Sequence, residues 1–326
     1  MSTRLSLDRI AEAARIIDPV FRNTPQFVSE ALSAKLGARV VVKVETLNPI
    51  RCFKGRGADY YAGSLQPGAR LVTASSGNLG QAMAYAGRSR GAHVTVFASM
   101  HANLLKLDRM RALGADVRLA GEDFDAAKAE ARSFATASGL PFVEDGVEPR
   151  LSEGAGSIAV ELLGFAEPVD AVLVSLGNGA ILGGMARWIS AYAPAIEVIG
   201  IAPSGAPCMA ESFRLGRPVA TARIDTIADG MATRVAVPEA LADLQGTVAD
   251  VLVVDDAAML RAMRLVHGHL GLVLEPSGAA GVAALLTYPE RFHGRTVAVV
   301  LCGGNLAPEQ MAAWLGVDWP CAAARP

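Results

Sequence analysis

Lysine is scarce in this sequence. Its five lysines are Lys35, Lys43, Lys54, Lys106 and Lys128, and none follows, although arginine continues to the C-terminus. Any chemical step that needs a primary amine therefore has five candidates. No basic block stands out, and the formal net charge is −2, so nothing marks a nucleic-acid partner. The four cysteines (Cys52, Cys208, Cys302 and Cys321) show no CxxC spacing, which argues against a disulfide framework and a zinc site. The N-terminal "MSTRLSLDRIAEAARIIDPV" lacks a continuous apolar run and reads as neither a secretory signal nor a membrane span. No fixed-period repeat or low-complexity linker occurs. A cytoplasmic protein without membrane or nucleic-acid partners is the expectation.

What is present is apolar material: 52% of the 326 residues are hydrophobic and 19% charged, enough for a substantial core and two lobes. Short β-branched runs such as "ARVVVKVE", "ARLVTAS", "HVTVFA", "ADVRLA", "AVLVSLG", "EVIGIA", "DVLVVDD" and "TVAVVLCGG" alternate with longer segments whose apolar residues recur at helical spacing. That alternation predicts an α/β fold with open, mostly parallel sheets flanked by helices. In such sheets ligands collect at the carboxyl ends of strands, so the loops there are read first.

In "NPIRCFKGRGADYY", Lys54 stands against Gly55 and Gly57, residues that build regular structure poorly. After "ARLVTA" comes "SSGNLGQ", where Ser75, Ser76, Gly77 and Asn78 open a helix; they suit an anion at its N-terminus, or simply cap it. "LGNGAILGG" places Gly177, Asn178, Gly179 and Ala180 between a strand and a helix. It is neither GxGxxG nor a P-loop, and a single phosphate suits it better than a nucleotide, although a tight turn has the same composition. Cys302 ends a strand that should be central, where buried cysteine usually just packs. Glu275, in "LEPSGAAG", reads as surface, and so do Lys106 and Lys128 on their helices.

In order along the chain, "FKGRGA", "SSGNLGQ", "LGNGAILGG", "IADGMA", "EPSGAAG" and "LCGGN" resemble the fold-type II pyridoxal-phosphate enzymes, nearest the serine/threonine dehydratases and serine racemases. The resemblance covers nearly the whole chain, from "NTPQFVSEALS" onward. It implies pyridoxal 5'-phosphate as cofactor, carried on Lys54 beside an apolar wall from Phe53. Arg56, two residues on, is expected to help the amine lose its proton. The phosphate cup is Gly177, Asn178, Gly179 and Ala180, Asn178 and Ala180 departing from the family's glycines. Asn78 bonds the cofactor's 3-hydroxyl. Ser75, Ser76, Gly77, Asn78 and Leu79 form the substrate loop, and Cys302 faces the ring nitrogen as a neutral partner.

The implied architecture is a large cofactor-binding lobe, residues 1–68 and 150–326, and a smaller lobe, residues 69–149, that closes over the substrate. The implied reaction is β-elimination of a 3-hydroxy amino acid such as L-serine, L-threonine or a β-aryl serine, giving a 2-keto acid and ammonia. Leu79 stands where many relatives have His, which makes the pocket more apolar. Arg51-Cys52 replaces a usual Gly-Ser. Ala202 and Cys208 replace carboxylates found in cation-binding relatives, so no tight divalent site is expected there. Racemisation with Ser76 as opposite-face base is the alternative; β-replacement and a non-catalytic cofactor-binding role are further ones. The resemblance also implies a homodimer. The length left after "LCGGN" leads us to expect no C-terminal regulatory domain.

Overall fold

The structure, a computed structural model, describes residues 3–75 and 77–317. Among them ten strands form two sheets: β1 (Gln26–Val28), β2 (Arg39–Val44), β3 (Arg70–Ala74), β4 (His93–Ala98), β5 (Asp116–Leu119), β6 (Phe142–Val143), β7 (Ala171–Ser175), β8 (Glu197–Pro203), β9 (Asp250–Val254) and β10 (Thr296–Leu301). One sheet runs β1-β2-β10-β7-β8-β9 and the other β5-β4-β3-β6. Strand pairings are parallel except at β1, which lies antiparallel on β2 with Phe27 opposite Val42. All eight expected strands are present. β1 and β6, three and two residues long, are too short to show a period.

The last strand in sequence, β10, is inserted between β2 and β7. Its residues alternate between two cores. Val297, Val299 and Leu301 pack with Val42 and Leu173 on one face, while Ala298, Val300 and Cys302 pack with Val41 and Val172 on the other. This is the period of two of a strand buried on both sides. It brings the carboxyl ends of β7 and β10, Ser175 and Cys302, side by side at mid-sheet. No helix among the described residues is long and apolar enough to cross a membrane.

The segment around Lys54 corrects the expectation of irregular structure, for Lys54–Ala62 is an α-helix. Glycine costs an exposed helix about 0.5–1 kcal/mol relative to alanine, but here neighbours need the space. A Cβ on Gly55 would sit 2.2 Å from the Phe21 ring, and one on Gly57 would sit 2.3 Å from the Leu151 carbonyl oxygen. Close approach, rather than a loop, explains both glycines.

A buried ion network fixes this helix to the sheet. Arg56, with no exposed surface, donates from Nε to Glu45 at 2.7 Å and from Nη1 to Glu161 at 2.7 Å. Lys43 on β2 reaches Glu161 at 2.5 Å. Two cations face two carboxylates, so no net charge is buried. Arg56 is thus committed to this network rather than to modulating Lys54.

Candidate active site

Apart from Ser76, which lies outside the described residues, the site residues named from the sequence line one cavity of about 260 Å³, bounded by loops from both sheets. Lys54, the first residue of its helix, points its amine past the Phe53 ring, 4.8 Å from the centroid, to Asp145 Oδ2 at 2.8 Å. Burial presses its pKa down, but the carboxylate of Asp145 and the hydrogen bond to it outweigh that, so the pKa is raised. The local setting favours the ammonium, opposite to the proton loss expected from Arg56 and an apolar wall.

Among the helix N-termini that face the cavity, two begin after a glycine and lack a side-chain cap. Gly179, at φ +97°, precedes the helix Ala180–Tyr192, and Gly77 precedes the helix Asn78–Ser89. Uncapped N–H groups at such termini are anion sites. Gly177 leaves no room for a side chain, since a Cβ would lie 2.7 Å from the Gly230 carbonyl oxygen. Asn178 is held by its own amide, donating to Asp145 at 3.2 Å and accepting from Thr233 Oγ1 at 3.2 Å. Ser75 Oγ accepts from the Gly77 N–H at 3.1 Å. Leu79 is buried and faces the same space.

Asn78 Nδ2 donates to Glu275 Oε1 at 2.6 Å, and its Oδ1 accepts from Asn305 Nδ2 at 2.9 Å. The amide orientation is thereby set, with one Nδ2 hydrogen left for a ligand. Glu275 is 2% exposed, which corrects its reading as surface. Burial pushes its carboxyl pKa up, against the pull of Lys106. Lys106, also read as surface, is 4% exposed and pairs with Asp229. Lys128 is half-buried at the rim, 3.3 Å from Glu144. Cys302 Sγ lies 3.5 Å from both Ser175 Oγ and the Ser277 carbonyl oxygen. Burial pushes its thiol up to about 12, so it presents a neutral face at ordinary pH.

Several site residues escaped the sequence reading. Asp229 and Asn305 stand inside "IADGMA" and "LCGGN", motifs noted without roles for those positions. Asp145 had only a faint signal, a glycine directly after it in "VEDGVEP". Of the substitutions singled out, Arg51 stands at φ +53°, a left-handed position where glycine carries no penalty. Cys208 is buried and donates to the Thr233 carbonyl.

Residues 17–303 match the family model described as pyridoxal-phosphate dependent enzyme. The chain belongs to that family. It is 31% identical over 94% of its length to L-threo-3-hydroxyaspartate ammonia-lyase from Pseudomonas sp, of which it spans 97%. To the biosynthetic L-threonine dehydratase of Lactococcus lactis subsp. lactis it is 28% identical over 92% of its length, spanning 75% of that protein. It spans only 56% of the Pasteurella multocida counterpart. The structure of maize serine racemase aligns with TM-score 0.89 at 26% identity, covering 95% of this chain and 96% of that one. This pyridoxal-phosphate-dependent enzyme thus falls in the serine/threonine dehydratase-like branch, as its motifs imply.

The donor set fits the cofactor. An amine for the aldehyde, an uncapped helix N-terminus for the phosphate and a neutral thiol for the ring line one cavity.

Proposed function

We propose that this chain is an ammonia-lyase that removes water from a 3-hydroxy amino acid and releases a 2-keto acid and ammonia. The observation that carries this reading is the convergence of Lys54, the Gly177–Ala180 loop, Asn78 and Cys302 on one cavity. The N–H groups opening the helix Ala180–Tyr192 would hold the phosphate, and the Asn78 N–H together with the Ser75 hydroxyl the substrate carboxylate. When bound, the cofactor would supply an electron-accepting ring; with a neutral Cys302 as its partner it would be a weak sink, which suits a reaction whose leaving group relieves the charge. The Lys54 amine would withdraw the Cα proton as general base. The β-hydroxyl then leaves as water, taking up the proton that Lys54 removed from Cα, and the unsaturated amine that is released hydrolyses to the 2-keto acid and ammonia.

Residues 69–149 act in this reading as a closing lobe. They carry Ser75 to Leu79 and Lys106, whose pairing with Asp229 crosses to the other part of the chain. Closure excludes water from the reacting carbon. The resemblance further supports a homodimer.

For the substrate we favour an apolar β-substituent such as the phenyl of a β-aryl serine. Leu79, Phe124, Phe142 and Ile224 all face the cavity, and apolar walls select by roughly 10–200-fold per group. Serine and threonine are the smaller members of the same class. Formation of the 2-keto acid from each, measured on the cofactor-loaded protein, tests the assignment. Racemisation is the second reading, favoured by the serine racemase fold and a serine at position 76; D-amino acid formed faster than keto acid would select it.

A further inference from the structure

One carboxylate in the cavity has no role in the reaction described above. Asp145 follows the two-residue strand β6, and its Oδ2 lies 2.8 Å from Lys54 Nζ and 3.2 Å from Asn178 Nδ2. Its side chain is 13% exposed. Its loop is held against the phosphate-loop backbone, because Gly146 has φ +82° and a Cβ there would sit 2.5 Å from the Asn178 carbonyl oxygen. Asp145 is therefore built into the site rather than resting on its rim.

The other ionisable groups around Lys54 are neutral or engaged elsewhere. Cys52 and Cys302 face the amine, but burial raises both thiols far above neutrality. Lys106 is paired with Asp229, and Glu275 is bonded to Asn78 and Ser277. At the rim Glu144 is held by Lys128 and Arg132. Among the described residues, the charge in hydrogen-bond contact with the Lys54 amine is that of Asp145.

We infer that Asp145 is the positioning residue for Lys54, holding its ammonium form in place whenever the amine is not bound to the cofactor. The inference rests on the reading of Lys54 as the cofactor-bearing lysine. In turnover, the Lys54 amine takes the Cα proton and becomes an ammonium while the electron pair stays on carbon. Asp145 then faces a full positive charge at contact distance and keeps it aimed at the substrate. In the cofactor-free protein the same pairing makes Lys54 a reluctant nucleophile, since only the neutral amine attacks an aldehyde.

Cofactor-free wild type, Asp145→Asn, Asp145→Ser and Asp145→Glu are each mixed with pyridoxal phosphate across a pH series. Capture is followed by the absorbance of the imine, then fixed with borohydride and mapped to the labelled peptide. An opposite charge at this distance moves a pKa by about 1–3 pH units. Asn and Ser should therefore shift the capture profile to lower pH by that amount, with capture at neutral pH about tenfold faster or more, while Glu keeps the wild-type profile. Pyridoxal, which lacks the phosphate, should show the same gain; a gain confined to the phosphate ester would mean that Asp145 only repels phosphate, and would overturn the inference. Unchanged profiles in both Asn and Ser variants, with Lys54 labelled, would overturn it while leaving the cofactor assignment intact. Label absent from Lys54 in wild type would overturn both.

Discussion

Replacing Glu161 by Gln tests whether the ion network beneath Lys54 holds the site together. The carboxylate meets Arg56 Nη1 at 2.7 Å, Arg56 Nη2 at 2.9 Å and Lys43 Nζ at 2.5 Å, with its side chain 10% exposed. Burial alone would raise its pKa, but Arg56 and Lys43 together hold it at about 2, against 4.5 for a free glutamate. At about 1.36 kcal/mol for each pH unit, that depression is worth about 3 kcal/mol. Breaking a buried pair from one side costs about 3–5 kcal/mol, because the partner charges stay buried. Gln keeps the shape and part of the hydrogen bonding, so about 3 kcal/mol is expected.

For a chain of this size that lowers the Tm of the cofactor-free protein by about 6 °C, taking about 2 °C per kcal/mol. The sign with pH is fixed. A depressed carboxylate pKa contributes stability above 4.5 that is lost as pH falls through about 2. Scanning calorimetry of wild type and Glu161→Gln should therefore show a gap that is full at neutral pH and narrows across that acid window. A Tm loss below about 1 °C, or a gap indifferent to acid, would refute the network's role.

The other predictions concern the site itself. Lys54→Ala should abolish both the imine absorbance with pyridoxal phosphate and turnover; a variant keeping either would remove Lys54 from its role. Gly179→Ala forces a side chain into φ +97° with its Cβ 2.8 Å from that of Ala240. At about 1–2 kcal/mol for the left-handed backbone, cofactor affinity should fall about tenfold in equilibrium titration. Leu79→His should lower the preference for a phenyl over a methyl β-substituent by about 10-fold in kcat/KM.

The parts legible in the sequence share a cause. Strands such as β7 and β10 are buried on both faces and so read as unbroken apolar runs, and the small-residue loops at their carboxyl ends stand out by composition. What stayed hidden depends on residues far apart meeting in space. Lys54 and Asp145 are 91 positions apart, and Asn78 and Glu275 are 197 apart. Glu275 and Lys106 look like surface residues because charge predicts exposure unless a partner is visible, and their partners come from distant loops. Gly55 and Gly57 misled for the opposite reason. Their local preference is against a helix, but packing against Phe21 and Leu151 leaves room for nothing larger.

The most direct test is 2-keto acid release by the cofactor-loaded protein offered L-serine, L-threonine and L-threo-phenylserine separately. Keto acid and ammonia in equal amounts, fastest from phenylserine, is the predicted result. Cofactor bound on Lys54 with no keto acid from any of the three would contradict the lyase assignment.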